Sequence, residues 1–183
     1  MKLLSEWFYR LTGWSIEGEL PADPRYVLVG YPHTSNWDFF VFLAVVGHFK
    51  IDAKVLAHRG LFVWPIAWLL RRWGAVPVEG GARSVITTAV TVLTATDRAC
   101  LVIAPEGTRA GGSVWKSGFW KIAEAADVPI VMGYVDRSSK RMGLGPSVRV
   151  DADPEAWMER ARLFYADKTG LKPHNRGPVE LSR

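Results

Sequence analysis

The residues best placed to do chemistry are His33 and Asp38, which lie five positions apart in the segment Gly-Tyr-Pro-His-Thr-Ser-Asn-Trp-Asp. On one continuous helix, five residues turn the side chain by about 140° away from its starting direction, so the two would not meet. They can meet across a bend, because Pro32 favours an extended residue before it and one of the three polar residues after His33 can cap a following helix. We therefore predict His33 on a turn and Asp38 in the first helical turn, with the carboxylate touching the imidazole.

This pairing has a chemical use. A carboxylate that is hydrogen-bonded to one ring nitrogen fixes the tautomer and leaves the other nitrogen free to accept a proton. Such a histidine can deprotonate a hydroxyl as it attacks an acyl carbonyl, which is worth roughly 10²- to 10⁴-fold in rate. A His-x4-Asp spacing often arises by chance, so the interpretation needs support from a second motif.

The second motif is Pro-Glu-Gly-Thr-Arg at residues 105–109, directly after an apolar run. Gly107 lets the main chain approach a ligand, and Arg109 offers a planar fork for a phosphate or carboxylate. Strand ends are where α/β folds build their sites. The alternative is a plain turn with an exposed ion pair between Glu106 and Arg109, worth less than about 1 kcal/mol.

Apolar runs typical of strands alternate along the chain with helical periodicity. We predict strands at residues 26–29, 54–57, 75–78, 100–104 and 130–135, and helices at 36–47, 61–72, 83–96, 117–126 and from 153 to about 167. The alternation predicts an α/β fold in a single domain, with a mostly parallel or mixed sheet flanked by helices.

Two segments could contact lipid. Residues 1–14 place six large apolar side chains on one side of a helical wheel, which predicts an N-terminal amphipathic helix that lies either in a bilayer interface or on its own domain. Residues 61–70 are nearly all apolar but too short to span a bilayer. For them we expect a core helix, with the lining of an acyl-chain site as the alternative.

Composition limits the remaining possibilities. At 183 residues and 49% hydrophobic, the chain suits one substantial core. The net charge of +5 is scattered rather than striped, which argues against nucleic acid as a partner and is compatible with an anionic membrane surface. The single cysteine, Cys100, excludes an internal disulfide. The first residues lack a cleavable signal, so we expect a peripheral or monotopic protein on the cytoplasmic face of a membrane.

Together and in this order, the two motifs resemble those of the glycerolipid acyltransferase family, of the 1-acylglycerol-3-phosphate acyltransferase type. In that family a His-x4-Asp motif supplies the base and its partner, and a later Pro-Glu-Gly-Thr-Arg motif helps to form the acceptor site. His33 and Asp38 match the first motif, and residues 105–109 match the second without substitution, about 70 residues on. Weaker matches are Lys54, Trp-Lys-Ser-Gly at 115–118 and Val-Pro-Ile at 128–130, so the resemblance covers roughly residues 26–136.

One departure from the family pattern concerns the acceptor. Between the two motifs the family usually carries Gly-x-x-Phe-Ile-x-Arg, whose arginine is thought to bind the acceptor phosphate. This chain reads Gly-Ala-Val-Pro-Val-Glu-Gly, with Gly80 in the place of that arginine. Arg83 is expected to substitute from the start of the next helix, where main-chain N–H groups also favour an anion. Otherwise the acceptor lacks the glycerol phosphate group.

The resemblance implies an O-acyltransferase that moves a fatty acyl group from acyl-CoA or acyl carrier protein to the hydroxyl of a lysophospholipid. The first expected acceptor is 1-acylglycerol-3-phosphate, and the expected process is phospholipid biosynthesis. The implied catalytic residues are His33 and Asp38, and the implied substrate-binding residues are Glu106, Gly107, Thr108, Arg109, Arg83 and Lys54. No metal or further cofactor is expected, since the thioester brings its own leaving group.

The expected partners are a lipid acceptor, an acyl thioester donor and a membrane surface. The expected division is an amphipathic helix and lead-in at 1–25, the acyltransferase domain at 26–170 and a tail at 171–183. Three alternatives stay open: the same chemistry on a lipid without glycerol phosphate, an acyl hydrolase, and a lipid-binding module without turnover.

Overall fold

The computed structural model describes residues 13–109, 111, 114–150 and 153–182. Its seven strands are β1 Ser15–Glu17, β2 Arg25–Tyr31, β3 Ala53–His58, β4 Ala75–Val78, β5 Ala99–Ile103, β6 Ile130–Asp136 and β7 Arg141–Val148. The helices in these ranges are α1 Asp38–Phe49, α2 Ile66–Arg72, α3 Ala82–Thr94, α4 Gly118–Ala125 and α5 Pro154–Tyr165. Single 3₁₀ turns lie at Arg59–Leu61 and Pro173–Asn175.

All seven strands form one sheet in the order β1-β7-β6-β2-β5-β3-β4. Neighbouring strands are parallel except β6 and β7, which form an antiparallel pair. The predicted α/β fold with a mostly parallel sheet is therefore confirmed. Val29 of β2 lies opposite Ile103 of β5, so the carboxyl ends of these two strands are side by side.

The central strand β2 is buried on both faces, as expected for a parallel strand covered by helices on either side. Val27, Val29 and Tyr31 face a core that α3, α4 and α5 cover. Tyr26 and Leu28 face a second core, to which α1 contributes Val45. Alternate side chains of β2 thus pack against the helices on the two faces of the sheet, and this strand leads into His33.

Two strands were not predicted. β1 has three residues, too few for a periodic signal, and β7 contains Gly143, Gly145 and Pro146, which are poor strand formers. Both lie at one edge of the sheet, where β7 pairs with β6 and β1 pairs with β7, so pairing rather than local propensity decides the conformation.

The helix predicted at residues 61–72 is shorter and more exposed than expected. Pro65 lies at the N-cap of α2, because proline lacks an N–H and its ring obstructs the preceding turn. No residue of α2 is buried, and Trp64 is 91% exposed. The expectation of a core helix in this segment is wrong.

The residues near both ends of the chain concern the predicted division into an N-terminal segment, a domain and a tail. Residues 1–12 of the predicted amphipathic helix lie outside the described residues, and Gly13 and Trp14 are not helical. β1 joins the lead-in to the sheet through β7, and Val179 is buried in the main core. The boundaries at 25 and 170 stay predictions. Within the described ranges, no helix has the length and hydropathy needed to cross a membrane.

Candidate active site

His33 and Asp38 meet across a bend, as the sequence predicts. Nδ1 of His33 lies 3.1 Å from Oδ2 of Asp38, with the imidazole partly exposed and the carboxylate almost buried. His33 follows β2 by two residues and Asp38 is the first residue of α1, so strand and helix hold the two side chains from opposite ends of one short turn. The contact occupies one ring nitrogen and leaves the other available.

Asp38 also organises the turn itself. Its Oδ2 accepts the main-chain N–H groups of Thr34 at 2.6 Å and Ser35 at 2.8 Å. The N-cap position of α1 is Trp37 rather than one of the three polar residues after His33, and its N–H donates to Ser35 Oγ at 3.2 Å. One carboxylate oxygen therefore shapes the backbone of the turn and orients the histidine at the same time.

Glu106 belongs to the second motif but faces the main chain of the first. It is 3% exposed, and its Oε2 accepts the N–H of His33 at 2.9 Å. Burial raises the pKa of Glu106 to about 7, although hydrogen bonds from the main chain of His33 and Gly177 oppose the rise. The two motifs are thus joined directly, because β2 and β5 end next to each other.

Arg109 makes a second link between the motifs. Its Nη1 donates to Oδ1 of Asn36, which lies within the turn that carries His33. Gly107, Thr108 and Arg109 all border the cavity described below. Three of the four predicted binding residues of this motif therefore reach the space next to His33, whereas Glu106 supports its main chain.

Tyr31 anchors the end of β2 just before the turn. Its hydroxyl donates to the carbonyl of Gly177 at 2.7 Å, and its ring packs on Trp115 and Tyr165 with centroids 5.0 and 4.9 Å away. Burial raises the pKa of Tyr31 to about 12, so the hydroxyl stays a donor. The main chain that enters the site is consequently fixed by the core.

The C-terminal segment, residues 170–182, holds the same turn from outside. The N–H of Lys172 donates to Thr34 Oγ1 and Asn175 Nδ2 donates to the carbonyl of Thr34, each at 3.0 Å. Residues 180–182 pair with Trp115 through main-chain bonds of 2.6 and 2.7 Å. Nothing in the sequence pattern of this segment indicates that role, because the contacts are made across the fold.

A cavity of about 900 Å³ opens beside His33. Its apolar lining comes from β3, β5, α3 and α4, and its polar lining from the two motif loops and Lys116. The lining residues are His33, Asn36, Val55, Leu56, Val85, Val102, Ile103, Ala104, Pro105, Gly107, Thr108, Arg109, Lys116, Gly118, Phe119 and Ile122. An apolar cavity with a few convergent polar groups is the usual form of a small-molecule site.

Two predicted binding residues do not border this cavity. The side chain of Lys54 pairs with Asp52 at 2.8 Å, and Arg83 is exposed at the start of α3. Lys116 and Asn36 do border it and were not predicted as site residues. The signal for Lys116 was its place in the Trp-Lys-Ser-Gly match, and the signal for Asn36 was its position within the His-x4-Asp motif.

Fold and site together define the class: an α/β protein with a histidine–carboxylate pair at the carboxyl ends of neighbouring parallel strands, beside an apolar cavity. The family model described as Acyltransferase matches residues 15–134, well over half of the chain. The chain therefore belongs to the acyltransferase family, which confirms the predicted family and the prediction of an enzyme.

Among solved structures, the chain is similar to PlsC, the 1-acyl-sn-glycerophosphate (LPA) acyltransferase from Thermotoga maritima. The TM-score is 0.63 at 16% sequence identity, and the match covers 93% of this chain and 76% of that one. At this identity the likeness concerns the fold. None of the curated proteins matches the chain significantly.

Proposed function

We propose that this acyltransferase moves a fatty acyl group from an acyl thioester to the hydroxyl of a lysophospholipid, with 1-acylglycerol-3-phosphate as the first acceptor to test. The observation that carries the proposal is the contact of 3.1 Å between His33 Nδ1 and Asp38 Oδ2 at the border of an apolar cavity. The activity of the similar Thermotoga enzyme, a 1-acyl-sn-glycerophosphate acyltransferase, supports the same acceptor.

In the proposed step, Nε2 of His33 accepts the proton of the acceptor hydroxyl as its oxygen attacks the thioester carbonyl. Asp38 keeps the proton on Nδ1 and stabilises the imidazolium that forms. When the tetrahedral intermediate collapses, the carbon–sulfur bond breaks and the departing thiolate takes the proton from Nε2. The products are an ester and a free thiol, so the reaction balances without a metal or a further cofactor.

The lining of the cavity supports a lipid substrate. Its apolar side chains suit a fatty acyl chain, and Arg109 suits an anionic head group. Acyl-CoA and acyl carrier protein present the same thioester carbonyl, so the proposal covers both donors. A role in phospholipid biosynthesis follows if the product is a phosphatidic acid.

The direct test is to incubate the purified protein with acyl-CoA and to follow thiol release with and without lysophosphatidic acid. We expect release that depends on the acceptor and that is lost in His33→Ala. His48→Ala is the matched control, because His48 is an exposed histidine of α1. Turnover retained in His33→Ala would refute the general-base role.

The same assay separates the alternatives. Release of thiol without any acceptor would indicate an acyl hydrolase, and no release with bound acyl-CoA would indicate a lipid-binding module. Transfer to monoacylglycerol but not to lysophosphatidic acid would indicate a lipid acceptor without glycerol phosphate, as the glycine at position 80 allows.

We further propose that the enzyme works at a membrane surface through an exposed aromatic face. Nine of the large apolar side chains exposed in the described ranges come from residues 37–73: Trp37, Phe39, Phe40, Leu61, Val63, Trp64, Ile66, Trp68 and Trp73. The rings of Phe39 and Trp73 are 5.3 Å apart, which joins α1 to the end of α2. Exposed apolar patches of this kind are typical of interaction sites.

The charges around the aromatic face favour a bilayer with anionic lipids. Arg71 and Arg72 are exposed within the same stretch of chain, as is Arg59, which pairs with Glu79 at 3.4 Å. Each such cation near an anionic leaflet contributes about 1 kcal/mol, and tryptophan is suited to the interface between lipid and water. Trp37 and Asn36 are neighbours in the chain, and Asn36 borders the cavity, so a lipid acceptor would reach the site from this side.

A further inference from the structure

The cavity beside His33 carries positive charge and no opposing carboxylate. Arg109 and Lys116 border it, and none of the described residues that line it is acidic. Ammonium and guanidinium groups form their strongest hydrogen bonds with carboxylates and phosphates. The chemistry of this lining therefore selects an anion.

The main chain of Lys116 is anchored beside the second motif, and its side chain is exposed. Its N–H donates to the carbonyl of Pro105 at 2.9 Å, and the preceding Trp115 is fully buried. Its side chain crosses Gly107, where an added Cβ would lie 2.9 Å from Nζ, 3.1 Å from Cε and 3.4 Å from Cδ. The absence of a side chain at Gly107 thus gives the ammonium its place next to the loop that carries Arg109.

The ammonium of Lys116 has no ion-pair partner among the described carboxylates. By contrast, Lys54 is paired with Asp52, and Arg83 does not border the cavity. Lys116 is accordingly the cation that can join Arg109 at this site. Gly118, the first residue of α4, borders the same space, and the N-terminal end of a helix adds to the preference for an anion.

We propose that Lys116, together with Arg109, binds the phosphate of the acyl acceptor and takes the place of the arginine that the family pattern has at the position of Gly80. The inference rests on the proposed function, because it assigns the acceptor's phosphate to this end of the cavity. It makes Lys116 a residue that determines specificity for acceptors with a charged head group.

The test is to measure initial rates for the wild type, Lys116→Gln and Lys116→Arg with lysophosphatidic acid and with monoacylglycerol, which offers a hydroxyl without a phosphate. We expect Lys116→Gln to lower the preference for lysophosphatidic acid, as the ratio of the two kcat/KM values, by roughly 10- to 100-fold. Lys116→Arg should recover most of that preference. Lys121→Gln is the matched control, because Lys121 is an exposed lysine of α4 that does not border the cavity.

The KM for acyl-CoA shows whether Lys116 binds the phosphate of the acceptor or a phosphate of the donor. A rise in the KM for lysophosphatidic acid with a steady KM for acyl-CoA supports the inference. A rise in the KM for acyl-CoA alone overturns it, because the phosphate then belongs to the donor. An unchanged preference between the two acceptors in Lys116→Gln overturns it as well.

Calorimetric titration with glycerol 3-phosphate separates this inference from the proposed function. If the wild type transfers acyl groups but binds glycerol 3-phosphate no better than Lys116→Gln does, the phosphate site is wrong and the function stands. Suppose instead that the wild type shows no acyl transfer but binds glycerol 3-phosphate, and that Lys116→Gln does not bind it. The phosphate site then stands and the proposed function is wrong. Glycerol is the uncharged control ligand.

Discussion

At the scale of single residues, His33 is held at both its ring and its main chain. Asp38 contacts Nδ1, and Glu106 accepts the main-chain N–H. Asp38 Oδ2 also accepts two further N–H groups, whereas its Oδ1 is buried without a hydrogen-bond partner among the described residues. Removing the charge of Asp38 and removing its side chain should therefore have different consequences.

We predict that Asp38→Asn lowers kcat by roughly 10²- to 10⁴-fold but unfolds close to the wild-type temperature. An amide oxygen can still accept the two N–H groups of the turn, but it cannot stabilise an imidazolium. Asp38→Ala should show a similar loss of kcat and a clearly lower Tm, because unsatisfied buried donors cost about 1 to 3 kcal/mol each. Steady-state kinetics and thermal melting measure both effects. Near wild-type kcat in Asp38→Asn would contradict the role of its charge in stabilising the imidazolium.

Glu106 adds a dependence of stability on pH. Because its folded pKa of about 7 lies above the ordinary value of 4.5, the folded protein binds this proton more tightly than the unfolded chain does. The resulting stabilisation is fully present below the ordinary pKa and is lost as the pH rises through about 7. The contribution of Glu106 should therefore make the protein melt at a lower temperature in mildly alkaline than in mildly acidic buffer.

We predict that Glu106→Gln reduces the fall in Tm between about pH 5 and about pH 8. The amide keeps an acceptor for the His33 N–H but no longer titrates. Glu79→Gln serves as the control, since it removes an exposed carboxylate that pairs with Arg59. Differential scanning calorimetry of the three proteins at both pH values makes the comparison. An equal fall in Tm in Glu106→Gln would show that another group carries the pH dependence.

At the scale of elements, two parallel strands and the C-terminal segment build the site. β2 and β5 are neighbours, so the turns that follow them meet at one edge of the sheet. Residues 170–182 close over this edge through Lys172, Asn175 and Gly177, which contact Thr34 and Tyr31. Asn175 is a positioning residue in this arrangement, because it acts on the main chain of the turn and not on a substrate.

We predict that Asn175→Ala lowers kcat by about 2- to 10-fold with a smaller change in the acceptor KM. The reason is the loss of one partly buried hydrogen bond that holds the carbonyl of Thr34, worth about 0.5 to 1.5 kcal/mol. The pH profile of kcat should also shift, since the environment of His33 changes with the turn. His174→Ala, a change at the exposed neighbour, is the control. A pure loss of Tm with unchanged kcat and pH profile would reduce Asn175 to a structural role.

At the scale of the whole molecule, most of the exposed large apolar side chains of the described residues come from the stretch 37–73. The aromatic face gathers on α1, α2 and the chain between Arg59 and Ile66, next to the turn that carries His33. Exposed Leu163 on α5 belongs to the helical layer on the other face of the sheet from α1. This distribution supports the proposal that the protein meets a lipid surface through the aromatic face.

We predict that the double variant Trp64→Gln/Trp68→Gln binds vesicles with anionic lipid several-fold more weakly than the wild type, as measured by flotation. Each substitution removes an indole ring that would bury apolar surface at the interface between lipid and water, where tryptophan is favoured. The same variant should raise the apparent KM for lysophosphatidic acid presented in vesicles more than for a short-chain acceptor in solution. Raised salt should weaken binding further through the arginines.

Leu163→Gln is the matched control, because it changes an apolar residue of the other helical layer that is about as exposed as Trp68. Equal flotation of the double variant and the wild type would overturn the assignment of this face to membrane. A dimer that dissociates in the double variant, seen by analytical ultracentrifugation, would assign the face to a second copy of the chain instead.

The sequence by itself determined the family, the α/β alternation and the pairing of His33 with Asp38, because motif residues and apolar periodicity act over a few neighbouring positions. Only the tertiary structure decided that Glu106 accepts the main-chain N–H of His33, that Lys116 and not Arg83 borders the cavity, and that no residue of α2 is buried. β7 and the contacts of Asn175 likewise depended on distant partners. Burial and long-range hydrogen bonds join residues far apart in the chain, and no local pattern encodes which of them will meet.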